Sequence, residues 1–249
     1  MMENLHYATA ELERYFSRNR IRWDQFYPSE RGVLEHIDPS PSAAVLDVGC
    51  GCGGLGLALA ERFGISDYTG VEINEASAET ARRLNPRARI LRGDFLRLGT
   101  GAPGREAYDL VFSLGCIDWN LRFDEMLNEL WARVRPQGAL VSSFRITRDA
   151  GINDIGNSYQ YINFDGKRAG EIAPYVVVNA RDLMAKLAAL RGGRIFACGY
   201  YGPPGESAVT PYSRLCFAAM AIYKSGDPDR LVLDLQLPDD IALDMSPGA

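Results

Sequence analysis

The chain has 249 residues, of which 47% are hydrophobic and 24% charged, with a formal net charge of −5. That length suits one large α/β domain or a domain with attached lobes, and the apolar fraction is enough for a sizeable core. Six aspartates against one arginine between 225 and 249 account for the charge, so the rest of the chain is close to neutral and lacks the basic stripe that grips nucleic-acid phosphates.

Other classes are disfavoured as well. Residues 1–16 carry acidic side chains early and no apolar stretch of secretory type, and no run approaches the ~18 apolar residues of a membrane span. A cytoplasmic location with no membrane or nucleic-acid partner is expected. The five cysteines, Cys50, Cys52, Cys116, Cys198 and Cys216, are odd in number and form no C-x-x-C pair, so neither a disulfide framework nor a zinc ribbon is indicated and no metal is expected. A homodimer through the acidic tail or the N-terminal helices is compatible with the sequence.

In chain order, residues 4–19 read as a helix with Leu5, Leu12, Tyr15 and Phe16 on one face. Trp23–Ile37 is a second, aromatic-rich segment, and Pro39 and Pro41 break the chain after it. Residues 1–42 are therefore expected as an N-terminal helical cap. It either packs on the main domain or also covers a ligand, with Tyr27 and Arg31 near the polar end. From Ala43 strand and helix signals alternate as in a parallel sheet covered on both faces. Strands are expected over Val45–Val48, Asp67–Ile73, Ala88–Leu91, Tyr108–Ser113, Ala139–Phe144, Arg194–Tyr200 and Arg214–Tyr223. Helices are expected after Gly54 and over Glu75–Leu84, Phe123–Val134 and Ala180–Leu190.

The organising stretch is VLDVGCGCGGLGLALAERFG, Val45–Gly64, an apolar run, a glycine-dense turn and a helix. A strand feeding a helix through glycines brings bare backbone and a helix N-terminus close to a ligand. Its G-x-G-x-x-G spacing alone is weak, because several cofactors exploit such turns. Four features fall at the C-terminal ends of successive strands, where ligands of open α/β sheets bind. Asp47, two residues before Gly49 and with Gly51 beyond, can accept from a cationic amine. Glu72 ends strand two and can take both hydroxyls of a ribose. Asp94-Phe95 ends strand three and can hold and stack a purine. The fourth is Ser113–Trp119, after strand four. Taken singly, Asp47 could cap a turn, Glu72 could be a surface charge and Asp94 could be an N-cap. One per strand and in register, they point to a common ligand.

These residues resemble the class I S-adenosylmethionine-dependent methyltransferases. VLDVGCGCG is similar to that family's glycine motif, VEIN to its ribose-binding acidic motif and GDF to its adenine motif. YDLVFSLG resembles the strand-four motif and RPQGAL the turn before strand five, with Gln137 a departure. The resemblance covers about Ala43–Phe144. It implies a Rossmann-like seven-stranded sheet with helices on both faces and an antiparallel last strand, and a methyltransferase domain over 43–224 with an acceptor-binding insertion at about 147–178. Residues 225–249 would be an acidic tail in which LVLDLQL adds a possible edge strand.

The resemblance further implies S-adenosylmethionine as cofactor, with Asp47, Gly49 and Gly51 around its methionine part, Glu72 on the ribose hydroxyls and Ile73 against the adenine. Asp94 would accept from the adenine amine with Phe95 alongside, and Ser113 and Leu114 would line the path to the sulfonium. A base is needed only for an acceptor that must lose a proton early, and Asp118 is the candidate, ahead of His6 and His36. The acceptor is read as a polar small molecule, a sugar, amino acid or hydroxylated metabolite, methylated on O or N. The asparagines, aspartates and tyrosines of Gly151–Gly166 suit it, with Tyr159, Tyr161 and Tyr200 as contacts. A non-catalytic methyltransferase-like binding module and an NAD-dependent dehydrogenase are the alternatives. Asp47 ahead of the glycines, the GDF motif and the antiparallel strand speak against the dehydrogenase.

Overall fold

The structure, a computed structural model, describes residues 7–99, 104–163, 165–224 and 230–246. Two helices, α1 (Glu11–Asn19) and α2 (Pro28–Ile37), precede an alternating run: β1 (Val45–Val48), α3 (Gly54–Phe63), β2 (Tyr68–Glu72), α4 (Glu75–Leu84), β3 (Arg89–Arg92), β4 (Tyr108–Ser113) and α5 (Phe123–Ala132). The long β5 (Val134–Thr147) leads to three short strands, β6 (Tyr159–Tyr161), β7 (Ile172–Pro174) and β8 (Val178–Asn179). Then come α6 (Ala180–Ala189), β9 (Arg194–Gly202), β10 (Ala208–Val209), β11 (Leu215–Tyr223), β12 (Val232–Gln236) and α7 (Asp239–Asp244).

The main sheet runs β12-β9-β11-β5-β4-β1-β2-β3, with β8 beside β5. The strands from β1 to β5 are parallel, and β11 is antiparallel to both of its neighbours. The sheet therefore has nine strands where seven were expected. One addition is β12, whose LVLDLQL alternation pairs it in parallel with β9. The other is β8, which pairs with β5 over two residues just before Asn179 caps α6.

Alternation along the central strands sends side chains to two separate cores, as period-two geometry requires. Leu46, Val111 and Leu140 face the side covered by α5 and α6, whereas Val45, Leu110, Phe112 and Val141 face α2, α3 and α4. Strand five is longer than its apolar signal, because β4 pairs with Val134 and then, across a register shift, with Ala139. The intervening turn holds Gln137 at φ 68°, a left-handed conformation that glycine adopts with less strain. Gln137 is thus the departure that the motif comparison picked out.

The residues between β5 and α6 supply β6 and β7, which join β10, from the connection between β9 and β11, in a three-stranded sheet, β10-β6-β7, apart from the main one. They meet the N-terminal segment directly. Glu171 accepts from the backbone N–H groups of Ala8 (3.0 Å) and Thr9 (2.7 Å), and Leu12 packs with Ile162 and Ala173. At the other end of the chain α7 is tied down by Asp244, which accepts from Arg148 (2.7 Å) and Arg181 (2.9 Å). The tail residues 225–229 and 247–249, like His6, lie outside the described residues.

Candidate active site

Because β1 to β4 are parallel, their C-terminal ends reach one edge of the sheet. The chain order reverses between β1 and β4, which opens a crevice there. A cavity of about 570 Å³ occupies it. Asp47, Gly49, Gly51, Glu72, Ile73, Asp94, Phe95, Leu114, Asp118 and Tyr200 all line this one space.

The glycine turn shapes the floor. Gly49 has φ 76°, and a Cβ there would collide with the Cys116 side chain, so both conformation and space demand glycine. Gly51 has φ 54° and an added Cβ would meet nothing within 4 Å, so its backbone faces open space along the cavity wall. Asp47 is buried and accepts from the Tyr68 hydroxyl at 2.5 Å. Burial pushes its carboxyl up to about 7 despite the opposing Tyr68 bond and the Arg20 charge. Glu72 accepts from the backbone N–H groups of Gly51 and Asn74, both at 2.8 Å, and from the Tyr7 hydroxyl at 3.5 Å. Burial raises its pKa against those bonds. Buried as it is, Glu72 is no surface charge. Asp94 does cap a turn, accepting from Leu96 N–H at 3.1 Å, while also lining the cavity.

The side of the cavity toward β5 is built by residues distant in sequence. The buried Arg145 donates Nη1 to the Asp118 carbonyl (2.8 Å), places Nε 3.2 Å from Asp118 Oδ2, and lays its guanidinium 3.7 Å over the Tyr175 ring. Arg20 donates to Glu30 at 2.6 Å and stands over Phe26 at 4.4 Å. The other Glu30 oxygen accepts from Tyr27 N–H at 3.0 Å. Both arginines of the lining are therefore neutralised by buried carboxylates. Phe16, Tyr27, Trp119, Phe144, Tyr175 and Phe217 supply the walls.

Several sequence expectations are corrected here. Ser113 does not line the cavity. It is fully buried, with Oγ accepting from Ile117 N–H (3.2 Å) and its carbonyl from the Ser142 hydroxyl (3.0 Å). Tyr159 and Tyr161 do share a face, with rings 5.6 Å apart, but strand alternation turns Gln160 between them to the cavity instead. The asparagines and aspartates of Gly151–Gly166 are likewise off the cavity. Asp154 accepts from Gly156 N–H, Asn153 donates to the Leu121 carbonyl, and Asn163 donates to those of Lys167 and Ala169, so they hold turns. His36 stacks on Phe196 at 3.5 Å beside Arg194, away from the cavity, and so does Arg31 stay outside its lining although Tyr27 is part of it. The residues missed were Arg20, Glu30, Ser143, Arg145 and Tyr175. The one available signal was an arginine directly following an apolar strand at Phe144-Arg145.

Residues 45–138 match the family described as a methyltransferase domain. Over that stretch in sequence, and in fold over most of its length, the chain is similar to S-adenosylmethionine-dependent methyltransferases. It is 31% identical over 108 residues to a trans-aconitate 2-methyltransferase of Delftia acidovorans, covering 43% of this chain and 40% of that protein. The chain thus matches about two-fifths of the length of the curated relatives it resembles. Among solved structures, a possible histamine N-methyltransferase from Thermotoga maritima superimposes with a TM-score of 0.53 at 18% identity, over 86% of this chain and 95% of that one. A phosphoethanolamine N-methyltransferase from Haemonchus contortus gives 0.61 at 13% identity, over 86% and 57%. These two likenesses are likenesses of fold.

Proposed function

We propose that the chain is an active methyltransferase that uses S-adenosylmethionine to methylate oxygen or nitrogen of a polar small molecule bearing a hydroxyl or an amine. The observation that carries this reading is the convergence of Asp47, Glu72 and Asp94 with the glycine turn on a single cavity. The residues fit the cofactor. Among the described residues no cation pairs with the buried Asp47 or Glu72, and Gly51 leaves a cradle that a side chain would fill. Asp47 would hold the ammonium group, Glu72 the ribose hydroxyls and Asp94 the adenine amine, with Ile73 and Phe95 against the base.

S-adenosylmethionine supplies a methyl group on a sulfonium, an electrophile that needs a positioned nucleophile and a dry site. The protein's contribution is chiefly position, which in the best model systems is worth about 7–11 kcal/mol. The aromatic walls exclude water from the acceptor. For a hydroxyl acceptor, Asp118 takes the proton, its carboxyl pKa already raised by burial against the opposing Arg145 charge.

Titration calorimetry with S-adenosylmethionine, S-adenosylhomocysteine and NADH tests the reading. The two sulfur nucleotides should bind, and Asp47→Ala and Glu72→Ala should each weaken them by roughly 10–100-fold, the worth of one charged hydrogen bond. Binding of NADH alone, or of none of the three, overturns it.

The pH dependence adds a second result. The ammonium ligand binds the ionised Asp47, whose carboxyl titrates at about 7. Affinity should therefore rise by about tenfold from pH 6 to pH 8, and Asp47→Asn should flatten that rise. The sign for folding is opposite. The unfolded chain ionises this group from its ordinary value of 3.8, so it lowers stability progressively between there and about pH 7. A flat affinity profile in the wild type removes Asp47 from the ammonium site.

A further inference from the structure

Among the described residues three buried side-chain polar atoms lack a hydrogen-bond partner: Arg31 Nε, Asn163 Oδ1 and Asp118 Oδ1. Of these residues Asp118 alone lines the cavity. Its other carboxylate oxygen faces Arg145 Nε, and its backbone carbonyl accepts from Arg145 Nη1. The arrangement spends the guanidinium on Asp118 and on the Tyr175 ring, and leaves Oδ1, buried and unpartnered, on a residue of the cavity lining. Buried polar atoms in folded proteins find partners, and one that does not marks a position for a ligand or water. Nothing in the surroundings asks for a second charge, since the Asp118–Arg145 and Arg20–Glu30 pairs are each already balanced.

We propose that Asp118 Oδ1 is the anchor of the acceptor site, and that the acceptor presents to it an uncharged N–H or O–H donor on an apolar, ring-sized body. The wall around it carries the rings of Phe16, Trp119, Phe144 and Phe217 beside the uncharged Gln160, which suits such a body and offers little to a multiply charged one. A polycarboxylate would need cations free to receive it. Arg20 and Arg145, the arginines of the lining, are both engaged, so a carboxylate entering here would meet Asp118 and Glu30 as like charges. The site thus selects by an acceptor atom that only a donor can satisfy, and rejects anions by charge. This inference rests on the methyltransferase reading, from which it takes the division of the cavity into a cofactor part and an acceptor part.

The test uses the full chain saturated with S-adenosylhomocysteine and five probes: phenol, aniline, toluene, benzoate and trans-aconitate. Their binding is measured by ligand-detected saturation-transfer NMR with titration. Phenol or aniline should bind at least about tenfold more tightly than toluene, the effect of leaving one buried polar atom unpaired, and trans-aconitate should show no binding. Phenol alone or aniline alone would assign the acceptor atom as oxygen or nitrogen, either of which supports the proposal. Asp118→Asn frees the Arg145 charge. It should weaken phenol and aniline by about tenfold while admitting benzoate, which the wild type rejects. Toluene binding as tightly as phenol, or trans-aconitate binding more tightly than either, overturns the proposal. Both comparisons are made on the wild type and stand even if the variant fails to fold. Failure of S-adenosylhomocysteine itself to bind would instead strike the underlying methyltransferase reading.

Discussion

Replacing Arg145 with methionine should destabilise the protein by about 3–5 kcal/mol, the cost of stranding one member of a buried ion pair. Arg145 and Asp118 are both buried, and the guanidinium makes the ion pair, a hydrogen bond to a carbonyl and the stacking on Tyr175 at once. Without it, burial alone acts on the Asp118 carboxyl and its pKa rises further. Protonation then relieves the strain in acid, so the loss of stability should be larger at pH 8 than at pH 5.5. The double variant Arg145→Met with Asp118→Leu should recover most of the loss, because no uncompensated charge remains. Denaturant unfolding of the four members of this cycle measures it. A single-variant cost below about 1 kcal/mol, or a double variant no better than the single, would show that the pair does not behave as a buried charge pair.

The second large effect is expected at Gly54, the first residue of α3. Alanine in place of a helical glycine ordinarily stabilises by about 1 kcal/mol. Here a Cβ would overlap the Arg20 carbonyl and lie 3.2 Å from Ile21 Cα, so the chain after α1 must move away. That chain brings Leu12, Phe16 and Arg20 to the cavity wall. Gly54→Val should therefore cost as much as the upper end of overpacking penalties, about 3 kcal/mol, and lower the affinity for S-adenosylhomocysteine as the wall opens. Limited proteolysis should then cut within residues 7–22 while the circular dichroism of the sheet persists. Gly51→Ala is the control. It has free space around the added methyl and pays only for its left-handed backbone, about 1–2 kcal/mol, leaving the N-terminal segment protected. Equal protease sensitivity in both variants would dismiss the steric account.

These two predictions also mark where the sequence was readable. Asp47, Glu72 and Asp94 could be placed because each lies at or just past the end of a strand, and parallel strands bring such ends to one edge whatever the details of packing. The helices expected over Glu75–Leu84 and Phe123–Val134 followed from periodicity in the same way, the second stopping at Ala132 because Val134 opens β5. Pairs such as Asp118–Arg145 and Arg20–Glu30 have no local signature. The first forms only because β4 and β5 are neighbours, which sets the loop after one strand against the end of the other. Tyr159 and Tyr161 were assigned correctly to one face, but which face of a three-stranded sheet meets a cavity depends on its docking, not on its alternation. Ser113 was misplaced by the same kind of step, since the cavity begins at Leu114.

The outermost strand gives the uneven charge of the chain a physical meaning. Without β12, the strand β9 would present a free row of backbone donors and acceptors, an open template for any other extended chain. β12 closes that row and becomes the new border, only five residues long and carrying Asp234, with Asp239, Asp240 and Asp244 in the helix that follows. Arg194 stands against Asp234, and Arg148 and Arg181 against Asp244, so the border carries paired charges of both signs, which with its shortness blunts it as a template for another strand. The end of the sequence thereby works as a short, charged hem sewn along an otherwise open row of backbone groups.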